Sequence, residues 1–217
     1  MTLSSYITVM HPAIKEIEIR RSRFIASVFP VVSENDAAAA IEAKRKEHWK
    51  ANHHCFAYVI GKKQEIQKAS DDGEPSGTAG VPILDVLKRR GLCDVLIIVT
   101  RYFGGIKLGA GGLIRAYAHA AGSGLAAAEV IEQIPADLWR TSVDYHLSGS
   151  IDNKLRESSY LVKNVQYTDK VSFDVFTRQE ESSVYTNWIR DLTNGTADNK
   201  KIEELYLHKK LPEPADR

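Results

Sequence analysis

The chain has 217 residues with a formal net charge of +1, 43% apolar and 26% charged. That length suits one large or two small domains, and the near-neutral balance gives no global field that calls for nucleic acid or membrane. Two cysteines, Cys55 and Cys93, with no Cys-x-x-Cys, exclude a disulfide framework and a zinc ribbon and favour a reducing, cytoplasmic setting. The N-terminal residues lack a signal-peptide pattern, and the longest apolar run, Val95–Val99, is far short of the roughly 20 residues of a membrane span. No membrane partner is expected.

Residues 14–31 alternate, with Ile17, Ile19, Phe24 or Ile25 and Val28 apolar, and predict two strands around a basic turn at Arg20–Arg23. Ser33 with Asp36 three residues on opens a helix through Trp49. Residues 54–61 predict a strand that turns at Gly61 into a second at 64–69, followed by a loop over 71–80. Pro82 near its start and Gly91 at its end bound a short helix over 81–91. A buried strand over 94–102 and a helix over 109–128 complete the first part. The small residues of that helix, at 116, 118, 120–122 and 124, imply close packing on the sheet. Pro135 marks a boundary, which gives domains at 1–134 and 135–217. Formal charges split as 17 Lys+Arg against 14 Asp+Glu before that point and 12 against 14 after it. Beyond it come a strand over 137–147, a helix over 150–160, strands over 161–168 and 170–178, a helix over 182–195 and a strand over 201–211. The order βαββαβ is ferredoxin-like, so the fold class is α+β with two domains.

The segment after the buried strand, Arg101-Tyr102-Phe103 followed by Gly104, Gly105, Gly109, Gly111 and Gly112, is a strand–glycine turn–helix junction. Such junctions present free N–H groups to anions. Neither standard nucleotide motif fits. Ala110 and Gly111 stand where a Walker loop needs Lys and Ser/Thr, and Ile114 stands where a dinucleotide fingerprint needs its third Gly. Arg101, Lys107 and Arg115 supply cations, and Tyr102 and Phe103 supply rings of the kind single-stranded nucleic acid stacks on. The opposing reading is that the glycines only turn a strand into a helix.

Asp71, Asp72 and Glu74 place three carboxylates within four residues. Mg²⁺ prefers that ligand type. A solvated acidic turn and pairing with Arg101 or Lys107 are the other two readings. His53 and His54 are adjacent strand residues, so they face opposite sides and do not share one metal. Cys55 reads as a buried structural thiol and His119 as a packed or partly exposed residue. No hydrolase triad is present.

Residues 71–87 and 99–117, with the strand at 53–61, resemble the signature of the YigZ/IMPACT family. The signature positions fall on Asp71, Asp72, Gly73, Glu74, Pro75, Gly77, Arg101, Tyr102, Phe103, Gly104, Gly105, Lys107, Gly109 and Gly112. The resemblance implies a first domain like elongation factor G domain IV and a ferredoxin-like second domain like its domain V. Both of those domains work against ribosomal and transfer RNA. The IMPACT branch regulates translation by competing for an activator of an initiation-factor kinase. The expected function is a non-enzymatic, translation-associated factor that presents residues 71–80 and 101–109, with Arg115, to RNA, the ribosome or a translation-related protein. Two alternatives stand beside it: an enzyme or sensor that holds a phosphorylated ligand with the glycine loop and a divalent cation, and a protein-interaction module.

Overall fold

The computed structural model describes residues 3–211 and divides into two units, one over residues 6–132 with 209–211 and one over 3–5 with 133–208. The first unit opens with β1 (Tyr6–Val9), held where the Cys93 N–H donates to the Ile7 carbonyl at 2.9 Å. Its main sheet is antiparallel, in the order β2 (Ala13–Ile19), β3 (Ser22–Pro30), β6 (Val95–Tyr102), β4 (His53–Ile60), β5 (Ile66–Ser70).

Strand periodicity sorts this sheet into two buried faces. Cys55, Ala57, Val59, Val95, Ile97 and Val99 face one core, which α2 (Gly80–Arg89) and α3 (Ala110–Ala127) cover. Phe56, Tyr58, Ile60, Leu96 and Ile98 face the other, under α1 (Glu34–Glu47). Central strands buried on both sides read as continuous apolar runs, which is why residues 95–99 show no alternation.

Local signals set the ends of these elements. Ser33 caps α1, its Oγ accepting from the Asp36 N–H at 3.1 Å and donating to Asp36 Oδ2 at 2.7 Å. Gly91, at φ +63°, stops α2. Close packing of α3 depends on Gly124, where a Cβ would lie 2.8 Å from Ala26 Cβ and 3.1 Å from Val28 Cγ2. Arg20 and Arg21 form the two-residue β2–β3 turn, between the paired Ile19 and Ser22, with φ of +47° and +64°.

The second unit contains α4 (Tyr145–Glu157), β8 (Leu161–Tyr167), β9 (Val171–Arg178) and α5 (Ser182–Leu192), with all but the first three residues of β7 (Val130–Val143) and all but the last two of β10 (Asp198–Lys210), in the order βαββαβ. β7 pairs with both β9 and β10, and β8 pairs with β9. Val143, Ile151, Leu155, Phe173, Val175, Tyr185 and Ile189 form its core. The architecture is therefore α+β, with a ferredoxin-like second unit.

Beyond shifts of a few residues at element ends, the structure departs from the sequence reading in three places. β7 runs straight through Pro135, because strand backbone accommodates the φ of proline wherever the ladder needs no N–H. Tyr145, read as strand, opens α4: Leu147, Ile151 and Leu155 recur every four residues and turn one helical stripe into the core. β1 was not anticipated at all. No helix among the described residues is long and apolar enough to cross a membrane.

Candidate functional site

The acidic loop and the glycine turn meet at one end of the first unit's sheet. Their junction is a buried ion pair. Arg101, at the end of β6, lies on the α3 side with Val95, Ile97 and Val99 and is 4% exposed. Its Nη1 donates to Glu74 Oε1 at 2.6 Å and its Nη2 to Ser22 Oγ at 3.3 Å. The guanidinium carbon lies 5.2 Å from the Phe24 ring centroid and 5.5 Å from that of Phe103. Glu74 Oε1 also accepts from the Tyr117 hydroxyl at 2.7 Å. Tyr117 is fully buried on α3, and burial drives its pKa far up, so it stays a neutral donor.

Cys55 closes this cluster, its Sγ 2.9 Å from the Asp71 carbonyl and 3.3 Å from Tyr117 Oη. Burial pushes the thiol up to about 12, so it is no nucleophile at neutral pH. His53 sits at the rim. Its Nδ1 is 2.9 Å from the Asp72 carbonyl, which fixes the proton on that nitrogen, and its Nε2 is 3.9 Å from Glu74 Oε1. His54 faces the other side of the sheet, where burial lowers its pKa and holds it neutral.

The three carboxylates go to three different places. Asp71 accepts backbone N–H groups from Gly77, Ala79 and Gly80 at 2.9, 3.0 and 2.8 Å and so holds the start of α2. Asp72 takes Arg45 Nη2 on one oxygen and the His54 N–H on the other, at 2.7 and 2.6 Å. Glu74 is inside with Arg101. The donor set does not fit Mg²⁺: each carboxylate is engaged by protein donors, and among the described residues no group of three or more His, Cys, Asp or Glu is placed to hold an ion.

Asp71 gives a pH test. Burial acts to raise its pKa, but the N–H groups of Gly77, Gly80 and Ala79 outweigh it, and the net position is below the usual aspartate range. A folded pKa below the unfolded one contributes stability that is present above about pH 4 and lost as pH falls through the folded value. Asp71→Asn should lower stability at pH 7 by about 1–2 kcal/mol, as loss of a helix cap does. It should also flatten the fall in stability between about pH 5 and pH 2; urea unfolding across that range measures both.

The glycine turn is outside. Phe103 is 45% exposed, and its N–H donates to Asn52 Oδ1 at 2.8 Å. Gly105, Lys107, Gly109 and Arg115 are exposed, Gly104 and Gly112 half-buried. Gly109, at φ +71°, precedes α3, whose start has no side-chain cap. The first N–H groups of this 18-residue helix are therefore left for solvent or an anion. Tyr102 is half-buried, with its hydroxyl 3.1 Å from His48 Nδ1 and its ring 5.2 Å from the Arg23 guanidinium.

Of the residues expected to meet a ligand, then, Phe103, Gly105, Lys107, Gly109 and Arg115 stand outside. Arg101 is an interior clamp with its donors turned away from solvent. Ser22, Asn52 and Tyr117 complete the arrangement and were not anticipated; Tyr117, four residues from the buried Leu113, carried a helical-spacing signal.

A family model described as the Impact N-terminal domain matches residues 20–125, and one described as a domain of unknown function, DUF1949, matches residues 141–196. The chain is 49% identical over 207 residues to "IMPACT family member YvyE" of Bacillus subtilis (strain 168), covering 95% of each chain. It belongs to the IMPACT family. A second member, "IMPACT family member YigZ" of Escherichia coli (strain K12), is 31% identical across 93% of this chain and 100% of its own. "Protein IMPACT" of Xenopus laevis shares 34% identity over 116 residues, 50% of this chain and 36% of its own length. A solved structure titled "Crystal structure of an hypothetical protein" is 30% identical, with a TM-score of 0.59 over 93% of this chain and 99% of its own. The Impact N-terminal match contains the buried clamp and the whole glycine turn.

Proposed function

We propose that this IMPACT-family protein is a non-enzymatic, translation-associated factor that binds RNA through the glycine turn of its first unit. One observation carries the reading. Lys107 and Arg115 have no ion-pair partner among the described residues; Lys107 lies in the same exposed turn as the Phe103 ring, and Arg115 reaches back to Gly111 in the uncapped first turn of α3. Cations and a helix N-terminus suit phosphates, and an exposed ring suits an unpaired base. The groups best suited to acid, base or nucleophilic chemistry, Glu74, Tyr117 and Cys55, are occupied with one another in the interior. That leaves binding as the role the surface supports. The link to translation rests on the YigZ/IMPACT resemblance and its likeness to the elongation-factor domains.

With a net charge of +1, affinity is expected to be modest and to fall as salt rises. Lys107→Ala with Arg115→Ala should weaken binding to single-stranded RNA about ten-fold and reduce the slope of log K against log salt by about 0.7 per lost phosphate contact. Filter binding or fluorescence anisotropy at several salt concentrations checks this. Absence of any salt-dependent binding to RNA or ribosomes would overturn the proposal.

A further inference from the structure

Two more segments converge where β6 ends. The Asn52 N–H donates to the Arg101 carbonyl at 2.9 Å, which fixes the α1–β4 loop against the strand end. Gly104 lies directly against the β2–β3 turn, so close that a Cβ there would come within 2.0 Å of the Arg21 carbonyl oxygen. Tyr102 joins both sides, meeting Arg23 on one and His48 on the other. Contacts at backbone level therefore hold three segments, distant in sequence, as one end of the sheet.

These segments turn cations and an aromatic ring outward. Trp49 is 73% exposed, and the Lys50 ammonium lies 4.9 Å from its ring centroid. Arg20 and Arg21 are exposed and, with Lys50, have no ion-pair partner among the described residues. Of the nearby acids, Glu16 is taken by Arg23 and Glu47 by Lys44; Glu18, opposite Arg23 in the β2–β3 ladder, is exposed and leaves the turn with a net positive charge from Arg20 and Arg21. The turn itself is a second, independent sign. A two-residue hairpin with positive φ at both positions favours Asn-Gly or Asp-Gly, whereas L side chains such as Arg are strained there. Two arginines in that backbone go against local preference, as functional positions do.

We propose that, given the RNA reading above, a single strand of RNA crosses this whole end of the sheet. It passes from the start of α3 over Phe103 to a second platform formed by Arg20, Arg21, Trp49 and Lys50. Trp49 stacks on a base, and the two arginines hold flanking phosphates. The strand is single because an exposed indole stacks only on a base that is free of its pair.

The test is a fluorescence and anisotropy titration of the full chain with an oligouridylate of about 12 nucleotides, within the site sizes of such binders. Trp49 emission should be quenched as RNA binds. Trp139 and Trp188, both partly buried in the second unit, provide a constant background. Trp49→Ala should abolish the quenching and weaken binding about ten-fold. The pair Arg20→Asn and Arg21→Gly supplies the residues the turn prefers, so it should leave the melting temperature unchanged or raised. It should nonetheless weaken RNA binding about ten-fold and lower the salt slope by about 1.4. If Lys107→Ala with Arg115→Ala weakens binding while the Trp49 and Arg20/Arg21 variants match the wild type, the second platform is wrong and the RNA reading stands. If the wild type binds no RNA, both fall. Polyglutamate binding as tight as RNA, without quenching, would make this an acidic-protein surface and overturn the inference.

Discussion

Arg101→Ala is expected to destabilise the first unit by about 3–5 kcal/mol, the usual cost of removing one partner from a buried ion pair. The side chains of Arg101 and Glu74 are 5% and 4% exposed. Without the guanidinium, the Glu74 carboxylate keeps the Tyr117 hydroxyl at 2.7 Å but has lost its counter-charge in a poorly solvated setting. The Phe24 and Phe103 rings also lose the cation they flank. Glu74→Ala should cost a similar amount, because it strands the cation. Replacing both with Met should recover much of the loss, since apolar groups of similar volume need no partner. Denaturant unfolding of the four proteins, followed by hydrogen exchange at β6 and α3 amides so that the two units are read separately, measures each step. A surface arginine would behave otherwise: its removal would change stability by no more than about 0.5 kcal/mol.

That difference bears on how the site was legible. Spacing and glycine content placed a strand–turn–helix junction at 95–112, and the structure has it there. In the sequence Arg101 reads two ways: as a ligand-facing cation, because it precedes two rings and a glycine turn, or as the partner of an acidic-loop carboxylate. Its position agrees with the second, pairing with Glu74 in the interior. Residues 95, 97 and 99 face α2 and α3, and period two carries residue 101 to the same buried side. An apolar run buried on both faces hides that parity; the division of Cys55 and Phe56 between two cores sets it. The acidic loop, whose pairing with Arg101 is one of its readings, hides the separate fates of its carboxylates for another reason. Three carboxylates in four residues look like one cluster, yet a tight turn with φ of +42° at Asp72 and +87° at Gly73 sends successive side chains in different directions. Sequence separation also hid the basic end of the sheet. Arg20, Trp49 and Phe103 are far apart in the chain, and only the strand order β2-β3-β6-β4 brings their segments together.

Gly104→Ala is expected to unfold or gravely destabilise the first unit, by more than about 4 kcal/mol, the range reserved for a clash that cannot relax. The added Cβ would sit 2.0 Å from the Arg21 carbonyl oxygen, 2.1 Å from its carbon and 2.6 Å from the Ser22 nitrogen. All three are backbone atoms, and the Ser22–Ile19 pairing leaves the turn little room to move. Relief would require separating β6 from the β2–β3 turn. That would break the Gly104 N–H bond to Ser22 Oγ at 3.2 Å and loosen the Arg101 bond to the same oxygen. Two neighbouring glycines set the scale. Gly105 has open space around a Cβ but φ of +84°, so Gly105→Ala should cost about 1–2 kcal/mol from backbone strain alone. Gly111 lies in the first turn of α3 with only the Arg115 side chain nearby, at 3.7 Å, and Gly111→Ala should be neutral or stabilising by up to about 1 kcal/mol. Thermal melts of the three variants should therefore rank Gly104→Ala lowest, Gly105→Ala next, and Gly111→Ala at or above the wild type. A Gly104→Ala protein that melted with Gly105→Ala would mean the β2–β3 turn is free to move off the strand end, and the surface shared by Arg21 and Phe103 would not be rigid.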